Sequence, residues 1–169
     1  LIDVQKRCQL VPLLGNHELM MLSVIDEEAD STFWLTFGGR QTLSSYGGDL
    51  EQIPDEHLEF LRQCVPFHET DEFIFVHANY AAHSPLDAQP ERLLFWEHLS
   101  STTPPPHSSG KTVFVGHTPQ PSGDVWDLGH LVCLDTYCFG GGWLTAMEAH
   151  SRQVWQADIL GKLRTDEQD

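Results

Sequence analysis

Three strand-length apolar runs in this chain each close on polar groups that can do chemistry. Val11-Pro12-Leu13-Leu14 runs into Gly15-Asn16-His17, Phe73-Ile74-Phe75-Val76 into His77-Ala78-Asn79, and Thr112-Val113-Phe114-Val115 into Gly116-His117-Thr118-Pro119. Short apolar runs bounded by turn formers read as buried strands. After the first of them, Glu18 to Ile25 resumes apolar spacing at a helical period, so strand, sharp turn and helix follow one another there. Gly15 permits a turn that a side chain would hinder. The pattern points to an α/β architecture, in which ligand-handling groups stand at the carboxyl ends of strands. Asn16 beside His17 sets a neutral amide oxygen next to an imidazole, a pairing that suits a hard or borderline divalent cation next to a proton donor.

Gly15-Asn16-His17-Glu18, a strand ending His77-Ala78, and Val115-Gly116-His117-Thr118-Pro119 resemble, in this order, the downstream motifs of the calcineurin-like metallophosphoesterases. Within that superfamily the chain is similar to the bacterial serine/threonine protein phosphatases, and also to the diadenosine tetraphosphatases, from about Leu10 to Ala157. The resemblance implies a two-sheet α/β sandwich flanked by helices. It also implies a metal-dependent phosphoric ester hydrolase, in which a metal-activated water attacks phosphorus between two divalent ions. Asn16, His77 and His117 would hold the second ion, and His17 would act as general acid on the departing alkoxide. Mixed nitrogen and oxygen ligands favour Mn²⁺, Fe or Zn²⁺ over Mg²⁺.

Members of the resembling family begin with two upstream strands bearing Gly-Asp-x-His-Gly and Gly-Asp-x-x-Asp-Arg-Gly, and neither motif occurs here. The expectation is therefore a truncated domain over residues 1–160 that lacks its first strands and keeps one half-site of ligands, followed by a polar tail at 161–169. The strand ending at Gly15 would then expose a sheet edge open to self-association. The competing reading of the same motifs is a non-catalytic fragment or pseudophosphatase that binds phosphate or a partner.

The chain departs from the family pattern in several places. Leu93-Leu94-Phe95-Trp96-Glu97-His98 occupies the place of a Leu-Leu-Trp-Ile-Arg run whose arginine grips the substrate phosphate, which makes His98 the candidate substrate contact. An imidazole donates one hydrogen bond from a given nitrogen and is charged only when protonated, so it cannot reproduce a bidentate guanidinium; an ordinary surface histidine is the alternative. Asn79 stands where the family has glycine, and asparagine tolerates the left-handed conformation better than other side chains. Tyr137 and Trp143 replace a glycine and an arginine, and read as packing rather than as a substrate wall.

Twenty-five acidic against nine basic residues, a formal charge of −16, argue against a nucleic-acid or anionic-membrane surface. The same charge favours a phosphorylated protein or small phosphoester over a polyphosphate. No apolar run approaches the ~20 residues of a membrane span, and the expected location is cytoplasmic. Cys8, Cys64, Cys133 and Cys138 contain no C-x-x-C pair and read as reduced thiols. Elsewhere the periodicities predict two short helical pieces over Ser31–Gly48 and helices over Pro54–Cys64 and Pro90–Leu99, with His57 facing solvent. They also predict hairpins over 67–76, 124–134 and 143–156, and an extended loop over 100–110.

Overall fold

β-branched and aromatic residues supply the strands, and prolines and glycines set where they stop. The computed structural model describes residues 1–26, 29–99, 101 and 103–165. Among these the helices are α1 (Ile2–Gln5), α2 (Asn16–Asp26), α3 (Thr32–Trp34), α4 (Arg40–Ser45), α5 (Asp55–Arg62) and α6 (Glu91–Phe95). The strands are β1 (Phe67–Glu69), β2 (Phe73–Val76), β3 (Thr112–Val115), β4 (Trp126–Asp127), β5 (Leu131–Cys133), β6 (Leu144–Met147) and β7 (Val154–Ala157). The result is a mixed α/β fold with a five-stranded sheet in the order β1-β2-β3-β5-β4 and a two-stranded sheet, β6-β7. Two compact units, Leu1–His68 and Glu69–Asp169, divide the chain inside β1.

In the first unit, α2 is opened by Glu18, whose carboxylate accepts the Gly15 N–H at 3.0 Å and satisfies a donor that the first helical turn leaves unpaired. Met20 and Met21 are buried, as the apolar spacing requires. The segment expected to be a strand before Gly15 is reduced to one parallel bridge, Leu13 to Val65. Two hydrogen bonds hold it, Leu14 N–H to the Val65 carbonyl at 2.8 Å and Val65 N–H to the Pro12 carbonyl at 2.9 Å. Pro12 has no N–H to extend the ladder, and Gly15 makes its turn into α2 with a negative φ. Between α3 and α4 a π-helical turn, Leu35–Gly39, is kinked at Phe37 and Gly38, where the sequence places its double-glycine break. α5 forms as predicted, but His57 does not stand alone in solvent: its Nδ1 meets the Tyr46 hydroxyl at 2.8 Å.

In the second unit, β2, β3 and β5 run parallel, and β4 closes the edge antiparallel to β5 through a turn at Leu128-Gly129. One set of alternate residues, Ile74, Val76, Val113 and Val115, is buried almost completely, along with Leu131 and Val132 of β5. Each such side chain removed from water contributes about 1.5–3 kcal/mol. Phe73, Phe75 and Phe114 occupy the alternate positions, Phe75 stacked on Phe114 at 5.2 Å, with the Arg152 guanidinium 4.8 Å above the Phe114 ring.

The predicted hairpins at 124–134 and 143–156 are present. α6 stops at Phe95, short of the predicted Leu99, because Trp96 leaves helical geometry (φ −130°), and this frees His98 from the helix. Of the loop at 100–110, Ser100 and Thr102 lie outside the described residues. The remainder is tied down by the Tyr80 hydroxyl, which donates to the Pro105 carbonyl at 3.0 Å, and by the buried His107. Of the expected tail, Arg164 is held by the Gly123 carbonyl at 2.9 Å and by Asp124 at 3.0 Å, and residues 166–169 lie outside the described set. All four cysteines are free thiols, and burial pushes those of Cys64 and Cys133 above their usual pKa. Among the described residues no helix is long and apolar enough to cross a membrane.

Candidate active site

Adjacent parallel strands deliver two of the predicted histidines to one place. β2 and β3 are paired in register from Phe73 opposite Thr112 to Phe75 opposite Phe114, so the residues just beyond them, His77 and His117, emerge at the same end of the sheet. Gly116 N–H donates to the His77 carbonyl at 2.8 Å and ties the two loops together. The Thr118 N–H returns to the Gly116 carbonyl at 2.6 Å, which makes His117 the centre of a γ-turn with φ 59°. A non-glycine residue in that region costs on the order of 1–3 kcal/mol and persists only where its surroundings hold it. Here the hold is the buried Thr118, whose hydroxyl accepts the Leu99 N–H at 2.9 Å.

The turn aims the His117 Nδ1 at the His77 Nε2, 3.1 Å away. The other nitrogen of His117 lies 3.2 Å from the Trp96 carbonyl. A carbonyl only accepts, so His117 Nε2 carries the proton and Nδ1 presents a lone pair toward His77. Either the His77 Nε2–H fills that lone pair, or both nitrogens present lone pairs to a cation. Two imidazole ligands at about 2.0–2.1 Å from one cation stand roughly 3–3.4 Å apart, and a ligand histidine ordinarily donates its second N–H to a carbonyl or carboxylate. The pair fits a borderline divalent cation in its spacing, and His117 fits in its second hydrogen bond as well. Among the described residues, however, no group of three or more His, Cys, Asp or Glu side chains is set to hold a metal, so this pair needs further ligands.

His98 joins the same cluster. It is exposed, and its ring centroid lies 4.6 Å from that of His117 at a tilt of 44°. The second unit thus gathers His77, His98 and His117.

Asn16 and His17 belong to the first unit, at the start of α2: Asn16 is buried and His17 exposed. Gly38, with φ 98°, closes on the His17 ring so tightly that a Cβ there would stand 3.1 Å from Cε1 and Nδ1. Gly38 of the kinked turn therefore makes room for the His17 imidazole, and Gly39 for the Trp34 ring.

Asn79 is buried and has a negative φ, in place of the left-handed turn that its position suggested. Its amide oxygen accepts the Tyr80 N–H at 2.8 Å, and its own N–H donates to the Leu93 carbonyl at 3.0 Å. Tyr137 takes the left-handed conformation instead (φ 66°) and packs against Phe139, while Trp143 packs against Gly123 beneath the Arg164 guanidinium. The expectation of packing holds for both aromatics. Sequence reasoning missed the Trp96 carbonyl and the Thr118 hydroxyl, which orient His117. The first is a backbone group with no side-chain signature, and the second was visible only as part of a motif.

No family profile matches this sequence, and no curated protein does. The solved structure of a presumed diadenosine tetraphosphatase matches it with a TM-score of 0.63 at 19% identity, over 92% of this chain and 71% of that one. The chain shares that protein's fold. At this level of identity the likeness is one of backbone architecture: a mixed sheet, a smaller sheet and flanking helices.

Proposed function

We propose that this chain is a metal-dependent phosphoric ester hydrolase in which His77 and His117 are ligands of a divalent cation. The convergence of His77 Nε2 and His117 Nδ1 at 3.1 Å, at the ends of adjacent parallel strands, carries the reading. Asn16 is the proposed oxygen ligand, from the start of α2. A bound pair of divalent ions, Mn²⁺, Fe or Zn²⁺ by the donor types, would supply an activated water and offset charge at phosphorus. The chain's own residues do the rest. His117 is held in one tautomer by the Trp96 carbonyl, so its lone pair is oriented before any ligand arrives. His17 gives its proton to the departing alkoxide, a role that contributes about 10²–10⁴-fold in rate. His98, beside His117, donates a hydrogen bond to a phosphoryl oxygen.

For the substrate, the −16 charge and the scarcity of basic residues support a phosphorylated protein or small phosphoester. The name of the fold neighbour supports a diadenosine polyphosphate. One observation favours a second reading, a phosphate- or partner-binding module without catalysis: among the described residues no group of three or more His, Cys, Asp or Glu can hold a metal.

The test is Mn²⁺-dependent hydrolysis of p-nitrophenyl phosphate by the wild-type chain and by His17→Asn and His117→Ala. A phosphoserine peptide and diadenosine tetraphosphate follow as competing substrates. Turnover lost in both variants supports the hydrolase. A folded sample that binds Mn²⁺ without turnover supports the binding module, and a folded sample that binds no Mn²⁺ refutes the metal site.

A further inference from the structure

The two-stranded sheet has one face engaged and one face bare. Directly opposed residues of an antiparallel pair project to the same side. Leu144 faces Ala157, Ala146 faces Trp155, and a further bridge sets Leu163 beside Ala157. Leu144, Ala146, Trp155, Ala157 and Leu163 therefore share a face. The opposite face is occupied: the Thr145 hydroxyl meets that of Thr136, and the buried Gln156 donates to the Gly123 carbonyl at 2.9 Å. On the bare face Leu144 is 68% exposed, Trp155 48% and Leu163 64%, and the turn leading to Leu163 adds Ile159 at 75% and Leu160 at 90%. At about 150–250 Å² for a large side chain, these five present roughly 600 Å² of apolar surface. Exposed apolar area of that extent is characteristic of an interaction site, and it approaches the ~800 Å² that each partner commits to a stable interface.

Charge selects the occupant. Arg152, Lys162 and Arg164 stand against Glu148 and Asp158 along residues 144–164, in a chain whose totals are nine basic and 25 acidic residues. Arg152 and Arg164 pair with Asp127 at 4.0 Å and Asp124 at 3.0 Å, and with those carboxylates counted the charges are three basic against four acidic, so two copies brought together here meet with less repulsion than over the acidic remainder. We propose that a second copy of this chain covers the face, the two hairpins meeting about a two-fold axis with Leu144 and Trp155 at the centre. Each copy presents the same apolar rows, and each brings both signs of charge, as a self-complementary interface requires. The surface differs from the sheet edge at Gly15 expected from sequence, and it is independent of the metal site.

The experiment is sedimentation equilibrium of the 169-residue chain from low micromolar concentration upward, at low and high salt. Trp155→Glu, Leu144→Glu and the control Val4→Ser, on α1, are run alongside, with circular dichroism to confirm folding. The expected result is a dimer that tightens as salt screens the net charge, and that weakens at least about tenfold in Trp155→Glu and Leu144→Glu, the effect of losing an interface anchor. Val4→Ser dimerises like wild type. A monomer under all conditions, a dimer indifferent to both hairpin substitutions, or a dimer that salt dissociates each overturns the proposal.

Discussion

Thr118→Val tests whether the γ-turn that aims His117 is held from outside. The substitution keeps the shape of the side chain and removes one oxygen, the acceptor of the Leu99 N–H at 2.9 Å. Leu99 is fully buried and Thr118 nearly so, so the stranded N–H has no route to solvent. An unsatisfied buried donor costs about 1–3 kcal/mol, whereas a neutral hydrogen bond contributes about 0.5–1.5 kcal/mol net. Thr118→Ser supplies the comparison: it keeps the hydroxyl and loses one buried methyl, about 0.8 kcal/mol. The expected order of stability is wild type, then Thr118→Ser, then Thr118→Val, read as midpoints of urea unfolding followed by tryptophan fluorescence. The same variants should rank the same way in Mn²⁺ or Zn²⁺ affinity, because a relaxed turn lets the His117 Nδ1 swing off the His77 Nε2. A Thr118→Val protein as stable as Thr118→Ser would refute the account, and would mean that the strain at φ 59° is held by something other than this contact.

Gly38→Ala forces a side chain onto a backbone with φ 98° and into the His17 ring, so it should destabilise the first unit by about 1 kcal/mol or more and shift the His17 ring resonances in an NMR spectrum. Ile74→Ala, at a position with no solvent exposure in β2, should cost about 2–5 kcal/mol in chemical denaturation. His150 bonds Glu72 at 3.1 Å and Glu148 at 3.4 Å, and these carboxylates raise its pKa, Glu72 foremost. Its contribution to stability is therefore complete below the ordinary imidazole value of 6.5 and is lost as pH rises through the higher folded value. Glu72→Gln should lower the His150 midpoint in an NMR titration and flatten that loss. Glu148, held down to about 2 chiefly by its hydrogen bonds from Ser151, adds stability above its ordinary 4.5, and that is lost as pH falls toward 2.

The strands that end in His77 and His117 were legible because both of their faces carry apolar side chains, so they read as unbroken apolar runs. The hairpins at 124–134 and 143–156 were legible too, because glycine, serine and aspartate mark their turns. Val11 to Leu14 carried the same apolar signal without making a strand, since Pro12 removes a ladder donor and the pattern does not show whether a partner strand is available. His57 looked solvent-facing because its partner, Tyr46, stands just past the end of α4, and one-dimensional periodicity holds no information on such a meeting. The candidate site divides in the same way. Which side chains stand at the strand ends was readable, whereas the γ-turn at His117, the Trp96 carbonyl that sets its tautomer and the Gly38 contact that seats His17 depend on backbone angles that residue types do not specify. Asn79 and Tyr137 show the limit: the left-handed residue is the aromatic one, and the asparagine uses its amide to cap a neighbour.

His77 and His117 are 40 positions apart. In the unfolded chain, closing a loop of that length costs about 3 kcal/mol beyond a constant, so the two imidazoles seldom meet before β2 and β3 pair. A cation that used both of them, as proposed, would therefore bind chiefly once the sheet exists. It would act as a reader of the folded state rather than a template for it: added ion is expected to raise the apparent melting temperature by mass action, and refolding from urea to proceed at the same rate in chelator as in metal.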